Sequence, residues 1–224
     1  LAEKDLNVPG QGRAQLGMAA ASADLGRHSH ALSMFSKARR VFENTGDAIC
    51  IARACKGQGD MYAALGSHEE SLNALKKAAD VAETCEKSFF SKDLQTATLE
   101  ALGRALTALG QRQEQEDGEQ TRSTMQHYDQ AVQVLEQALD LAEGNGNDQL
   151  QSVVCIALAR AYDFTYRHED AVDTFSKALE KGNVMIAYSS IAVSNSSSTT
   201  EALIFSQDQR GIALLHQHLK SHNF

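Results

Sequence analysis

Proline is almost missing from this chain, at one in 224 residues, and tryptophan is absent. Aromatic residues make up only 6%. An all-β sandwich or barrel needs β-branched and aromatic strands separated by many Pro/Gly turns, so composition argues against that class. No apolar run approaches the roughly 20 residues of a membrane-spanning helix. Cations are also in deficit: 21 Lys and Arg face 29 Asp and Glu, a formal charge of −8. That balance disfavours nonspecific nucleic-acid binding, which needs a basic surface. Four cysteines without a Cys-x-x-Cys pair do not make a disulfide framework, and they point to a reducing, cytoplasmic setting. Phosphate-loop, nucleophile-elbow and His-Glu-x-x-His patterns are all missing, so no enzyme and no cofactor are expected.

What the chain does have is a repeat. Its apolar share, 42%, is enough to build a core. The spacing from Ala19 to Gly59, Gly26 to Gly66, Ala38 to Ala78, Ala131 to Ala171 and Ala138 to Ala178 is 40 residues in each case. Gly59 to Gly103 is 44, four residues more, and Gly103 to Ala159 is 56, which is 40 plus a 16-residue insertion near 111–126. Four copies of one unit follow, starting near residues 12, 52, 96 and 152.

Each unit reads as two helices, predicted as pairs over about 14–44, 48–87, 94–142 and 148–181. The first helix carries a small residue, Ala19, Gly59, Gly103 or Ala159. Seven residues later Gly26, Gly66 or Gly110 is placed to end it in the left-handed conformation. Tyr166 stands there in the fourth copy, which predicts a different turn. The second helix repeats small, large, small: Ala31-Phe35-Ala38, Ser71-Leu75-Ala78, Ala131-Leu135-Ala138 and Ala171-Phe175-Ala178. Offsets of three, four and seven put these on one face and let neighbouring helices approach closely. Gly46-Asp47 and Gly146-Asn147-Asp148 read as a glycine stop followed by an aspartate N-cap.

The segments Gly59-Asp60-Met61-Tyr62, Leu65-Gly66 and Ala171 to Phe175 to Ala178 give the chain a pattern that resembles the tetratricopeptide repeat. The usual unit is about 34 residues; the longer unit here is similar to the subclass found in kinesin light chains, G-protein signalling modulators and rapsyn-type scaffolds. The resemblance spans residues 12–182 and implies an all-α, right-handed superhelical solenoid of antiparallel helix pairs. It also implies a non-enzymatic scaffold or adaptor whose concave groove binds a linear or helical segment of another protein, acidic segments included. A peptide-responsive regulatory sensor and a structural arm for self-association are the alternatives.

The ends extend the pattern. Leu1-Ala2-Glu3 falls 40 residues before Val41-Phe42-Glu43, so residues 1–11 read as the tail of a preceding repeat. Residues 183–193 read as the first helix of a partial fifth repeat. A Ser-rich linker from Ser194 to Thr200 follows, and then a C-terminal helix over Glu201–Lys220 that could cap an open end.

Candidate sites sort by repeat position. His28, His68 and His168 each stand three residues before Ala31, Ser71 and Ala171, with Tyr128 at the same place in the third copy. Residues a whole repeat apart cannot share an ion, so these are packing positions and no metal site is expected. His216, His218 and His222 have no acidic or cysteine partner nearby in the sequence and read as a tail. Cys50, Cys55 and Cys155 read as buried free thiols. The insertion, net −2 and nearly free of apolar residues, reads as a solvated loop or a frayed helix extension.

The groove implied by the resemblance would be lined by the stripe beside the small first-helix residues. On that stripe Arg13, Arg53, Lys56, Arg104 and Arg160 supply positive charge, Asp60 lies one helical turn from Lys56, and Ile156 and Phe164 offer an apolar anchor. Arginine suits carboxylates because its planar fork donates two hydrogen bonds. These charges could equally pair along and between neighbouring helices. The Lys and Asn positions of the chaperone-tail carboxylate clamp hold Leu16, Ala20 and Gly57 here, so the resemblance does not extend to that subgroup.

Overall fold

The computed structural model describes residues 8–85 and 89–181. The elements among them are helices: α1 Val8–Asp24, α2 His28–Thr45, α3 Ala48–Ala64, α4 His68–Glu83, α5 Phe89–Asp117, α6 Arg122–Asn145, α7 Asp148–Phe164 and α8 His168–Lys181. The all-α helical-repeat class is therefore as expected. The partial fifth repeat, the Ser-rich linker and the C-terminal helix lie outside the described residues. So does most of the tail expected over 1–11, but its last part is corrected: helix α1 already begins at Val8.

Residues to Ala105 and residues from Leu106 form two units, with α5 running through the boundary. In the first unit α1 packs on α2, α2 on α3 and α3 on α4, and α1 also touches α3. The repeated small residues explain how closely these helices approach. A Cβ on Gly59 would lie 2.5 Å from Leu75 Cγ, and one on Gly57 would collide with the Phe35 ring. Ser71, fully buried in α4, donates its hydroxyl to the Gly59 carbonyl at 2.8 Å. Phe35 joins Ala19, Ala31 and Met61 in one cluster, and Ala38, Phe42 and Cys50 form the next. Burying a side chain such as Leu75 contributes about 1.5–3 kcal/mol.

The second unit repeats the scheme, with α6 on α7 and α7 on α8. Ala131, Leu135 and Ala138 are buried, as are Ala159, Ala171 and Ala178. Side chains cap the starts of α3 and α7. The Asp47 carboxylate accepts from the Cys50 amide at 3.0 Å, and the Asn147 side chain accepts from the Leu150 amide at 3.1 Å. The second cap is thus Asn147, one residue before the expected Asp148.

Turns inside the first, second and fourth pairs follow one geometry. Gly26 and Gly66 are left-handed, at φ 70° and 76°. Behind them the Arg27 amide donates to the Ser22 carbonyl and the Ser67 amide to the Tyr62 carbonyl. The fourth copy was expected to turn differently, and it does not. Tyr166 takes φ 59°, and the Arg167 amide donates to the Tyr162 carbonyl at 2.9 Å, the same closure. A bulky residue there is disfavoured because its Cβ crowds the carbonyl. Closing the turn outweighs that local cost.

The third copy departs from expectation in the opposite way. Gly110 was expected to end the first helix; instead α5 continues two turns to Asp117, and Gly118 is the left-handed residue, at φ 75°. Of the two forms expected for the insertion, the helix extension is the one found: it lengthens α5, turns at 118–121 and starts α6 early. Thr121 caps α6 through a reciprocal pair with Thr124. Tyr128 consequently lies inside a helix, while its repeat equivalents His28, His68 and His168 each begin one.

Candidate functional site

The stripe beside the small first-helix residues divides into a paired part and an unpaired part. In α3, Lys56 Nζ sits 2.8 Å from Asp60 Oδ2, one helical turn on, so the two charges cancel. In α5, Arg104 Nε sits 2.6 Å from Glu100 Oε1, a carboxylate whose side chain is only 8% exposed. Glu100, and after it Asp60, hold the Arg104 guanidinium above its usual range against the opposing effect of burial. Lys56, Asp60, Arg104 and Glu100 thus form a run of alternating sign within the first unit.

Arg13 in α1 and Arg53 in α3 differ. Both are exposed, and among the described residues neither has an ion pair. They flank one cleft of about 480 Å³, whose remaining lining is Leu16, Gly17, Phe35 and Cys50. The fold builds this cleft directly. Spacing in α1 puts Arg13, Leu16 and Gly17 on one side, Phe35 of α2 forms the floor, and Cys50 and Arg53 come from the start of α3. Nothing lies within 4 Å of the place where a Cβ on Gly17 would stand, so this wall is open. Burial pushes the Cys50 thiol up to about 11, with Asp47 adding to the effect and Arg13 and Arg53 opposing it. The thiol is therefore neutral at physiological pH. The Asp47 carboxylate is held as the cap of α3.

The remaining sequence candidates lie in the second unit. Ile156, 8% exposed, belongs to a core cluster with Cys155 and Ala178, packed by Leu139 and Phe175, which removes it as an exposed anchor. Phe164 is half-buried, its ring stacked on Tyr128 at 5.0 Å between centroids. Its carbonyl accepts from Gln120 Nε2 at 3.1 Å, so the insertion is tied to the end of α7. Arg160 is half-buried and already engaged. Sequence reasoning had Arg13 and Arg53 but missed Gly17, whose signal was its repeat equivalent Gly57, 40 residues on. It also assigned Phe35 wholly to the core.

Two further expectations can be placed. Cys50, Cys55 and Cys155 are free and buried, as expected. His168 is exposed, its Nδ1 3.1 Å from Asp163 Oδ1, and so is not a packing residue. No helix among the described residues is long and apolar enough to cross a membrane.

A family model of the tetratricopeptide repeat matches residues 11–84, and a second matches residues 119–149. Residues 11–84 and 119–149 thus match tetratricopeptide repeats, and repeats of this kind generally mediate protein–protein interaction. Among solved structures it is similar to a crystal structure of nearly identical TPR-like repeats from a Podosopora anserina protein assigned to kinesin light chain. That match is 17% identical, covers 77% of this chain and 95% of the other, and has a TM-score of 0.39. It is also similar to the structure of MamA MSR-1 C2, at 17% identity, with 76% and 95% coverage and a TM-score of 0.24. No curated protein matches.

Proposed function

We propose that this chain is a non-enzymatic interaction module that holds a peptide or helical segment of another protein against α1 and α3 of its first unit. The observation that carries this reading is the open cleft between those helices, with two arginines that no described residue pairs. An arginine without an intramolecular partner keeps its hydrogen-bond donors available, and a partly apolar cleft beside it adds area that a partner can bury. Scaffold families built from these repeats are typically non-catalytic, which supports the non-enzymatic part. A helix-in-groove or extended-peptide mode suits a face made of parallel first helices.

The test is hydrogen exchange on this chain alone and with a partner recovered by affinity capture on the full-length protein. Slowed exchange over residues 8–24 and 48–64 is the expected result. Protection confined to α2 and α4, with α1 and α3 unchanged, would move binding to the opposite face and overturn the proposal.

A further inference from the structure

We infer that the segment bound at this cleft presents a carboxylate next to an apolar side chain, the carboxylate lying between Arg13 and Arg53 and the apolar group entering over Leu16, Gly17 and Phe35. This rests on the proposed use of the α1–α3 face. The charges settle where an anion can go. Lys56 is neutralised by Asp60, and Arg104 by Glu100, so a second carboxylate arriving there would have to displace an existing one. At the cleft the guanidiniums of Arg13 and Arg53 have no described ion pair to displace. The Cys50 thiol contributes no charge at neutral pH, and the Asp47 carboxylate, which caps α3 by accepting from the Cys50 amide, makes no ion pair with either arginine. Attraction for an anion is therefore concentrated at one end of the face, and the ligand needs one acidic position rather than an acidic run.

Shape settles what accompanies the carboxylate. Leu16 and the Phe35 ring offer apolar surface, and the bare Cα of Gly17 leaves room beside them. Gly57 shows the contrast: Phe35 already fills the space its side chain would take. Gly17 alone of this pair opens onto unfilled volume, which makes it the size gate of the cleft. The carboxylate could belong to an Asp or Glu side chain or to a chain terminus, since the two guanidiniums offer the same donors to either.

The probe is an array of short synthetic peptides of random sequence, each made with a free and with an amidated C-terminus. Peptides that bind the intact protein should be enriched in a carboxylate beside Leu, Ile or Phe. Loss on amidation identifies a terminal carboxylate as the source, and indifference identifies a side chain. The Arg13→Glu/Arg53→Glu variant should weaken these peptides by about tenfold or more, as expected for charge-assisted bonds replaced by repulsion. Gly17→Phe should abolish binding by filling the cleft, and circular dichroism checks that it stays helical. Should Gly17→Phe fail to fold, the charge reversal, at two exposed positions, still decides the matter. Bound peptides without a carboxylate, or unchanged affinity in the charge-reversed protein, overturn this inference but leave the interaction module standing. Absence of any bound peptide overturns the inference, and joined with absence of partner protection on α1 and α3 it overturns the proposed function as well.

Discussion

The ring of Tyr128 occupies the space that a side chain on Gly110 would need: a Cβ there would lie 2.6 Å from Tyr128 Cε1. Gly110 lies within α5 and Tyr128 within α6, so this glycine is kept for contact between helices, whereas Gly118 provides the turn. Tyr128 is fully buried, and its hydroxyl donates to Glu114 Oε2 at 2.8 Å, which ties the lengthened part of α5 to α6. Replacing Gly110 with alanine should therefore destabilise the protein by about 1–3 kcal/mol through overpacking, despite alanine's better helix propensity. Urea unfolding measures this, and a stabilised Gly110→Ala protein would show that the ring yields freely.

Tyr166 provides the opposite case. It holds a left-handed backbone that its equivalents Gly26 and Gly66 adopt without strain. Its side chain is 67% exposed, with an edge-on contact to His168 at 6.1 Å between ring centroids. Tyr166→Gly should stabilise the protein by about 1 kcal/mol, the backbone relief exceeding the loss of an exposed ring contact and the added freedom of the unfolded chain. A thermal melt with an unchanged or lower midpoint would contradict this.

Gly17 tests the openness of the cleft wall independently of any ligand. An alanine there meets no atom within 4 Å and removes a flexible residue from inside α1. Stability should rise by about 0.5–1 kcal/mol. Loss of stability on Gly17→Ala would mean that the wall is filled.

The Arg104–Glu100 pair should matter for the fold rather than for binding. Glu100 is nearly buried while Arg104 is half exposed, so Arg104→Gln leaves a poorly solvated carboxylate with its strongest partner gone. The expected loss is about 1–3 kcal/mol, below that of a wholly buried pair because water reaches the arginine side. Urea unfolding measures the loss, and a variant as stable as the parent would assign the pair to the surface.

Alkaline pH should unfold the protein earlier than its acidic composition suggests. Burial, with a hydrogen bond to Glu136, pushes Tyr162 up to about 12, and burial pushes Cys50 up to about 11; Tyr128, Cys55 and Cys155 are raised as well, by burial first. Between the ordinary and the raised value the folded chain holds protons that the unfolded chain has released. Stability from these groups is complete below about pH 9 and is lost as pH rises towards 12. Each group titrating only in the unfolded state removes about 1.4 kcal/mol per pH unit. Tyrosinate absorbance from Tyr128 and Tyr162 should appear together with loss of the helical signal; full ionisation with the helices intact would contradict the shifts.

The repeat, its two-helix unit and the core stripe were legible in the sequence because they are local or periodic properties. Small and large residues at offsets of three, four and seven must share a helical face, and a repeat 40 residues on must do the same thing again. Periodicity also located the first-helix stripe that contains Arg13 and Arg53. What it could not rank was the stripe's charges, since whether a cation is free depends on partners set by rotamers and by neighbouring helices. Lys56 and Arg104 found carboxylates one turn away; Arg13 and Arg53 instead came to line one cleft. Ile156 and Phe164 looked like anchors by position, but the packing of α6, α7 and α8 took them up. The turns show the same division. Glycine at 110 predicted a stop, yet contact with Tyr128 and the long α5 used it as a packing residue; tyrosine at 166 predicted a different turn, yet the helices on either side imposed the left-handed one. Sequence determined which faces are buried, because burial follows from pattern. Tertiary structure decided which polar groups stay unpaired and where the backbone bears strain, because those depend on contacts between residues far apart in the chain.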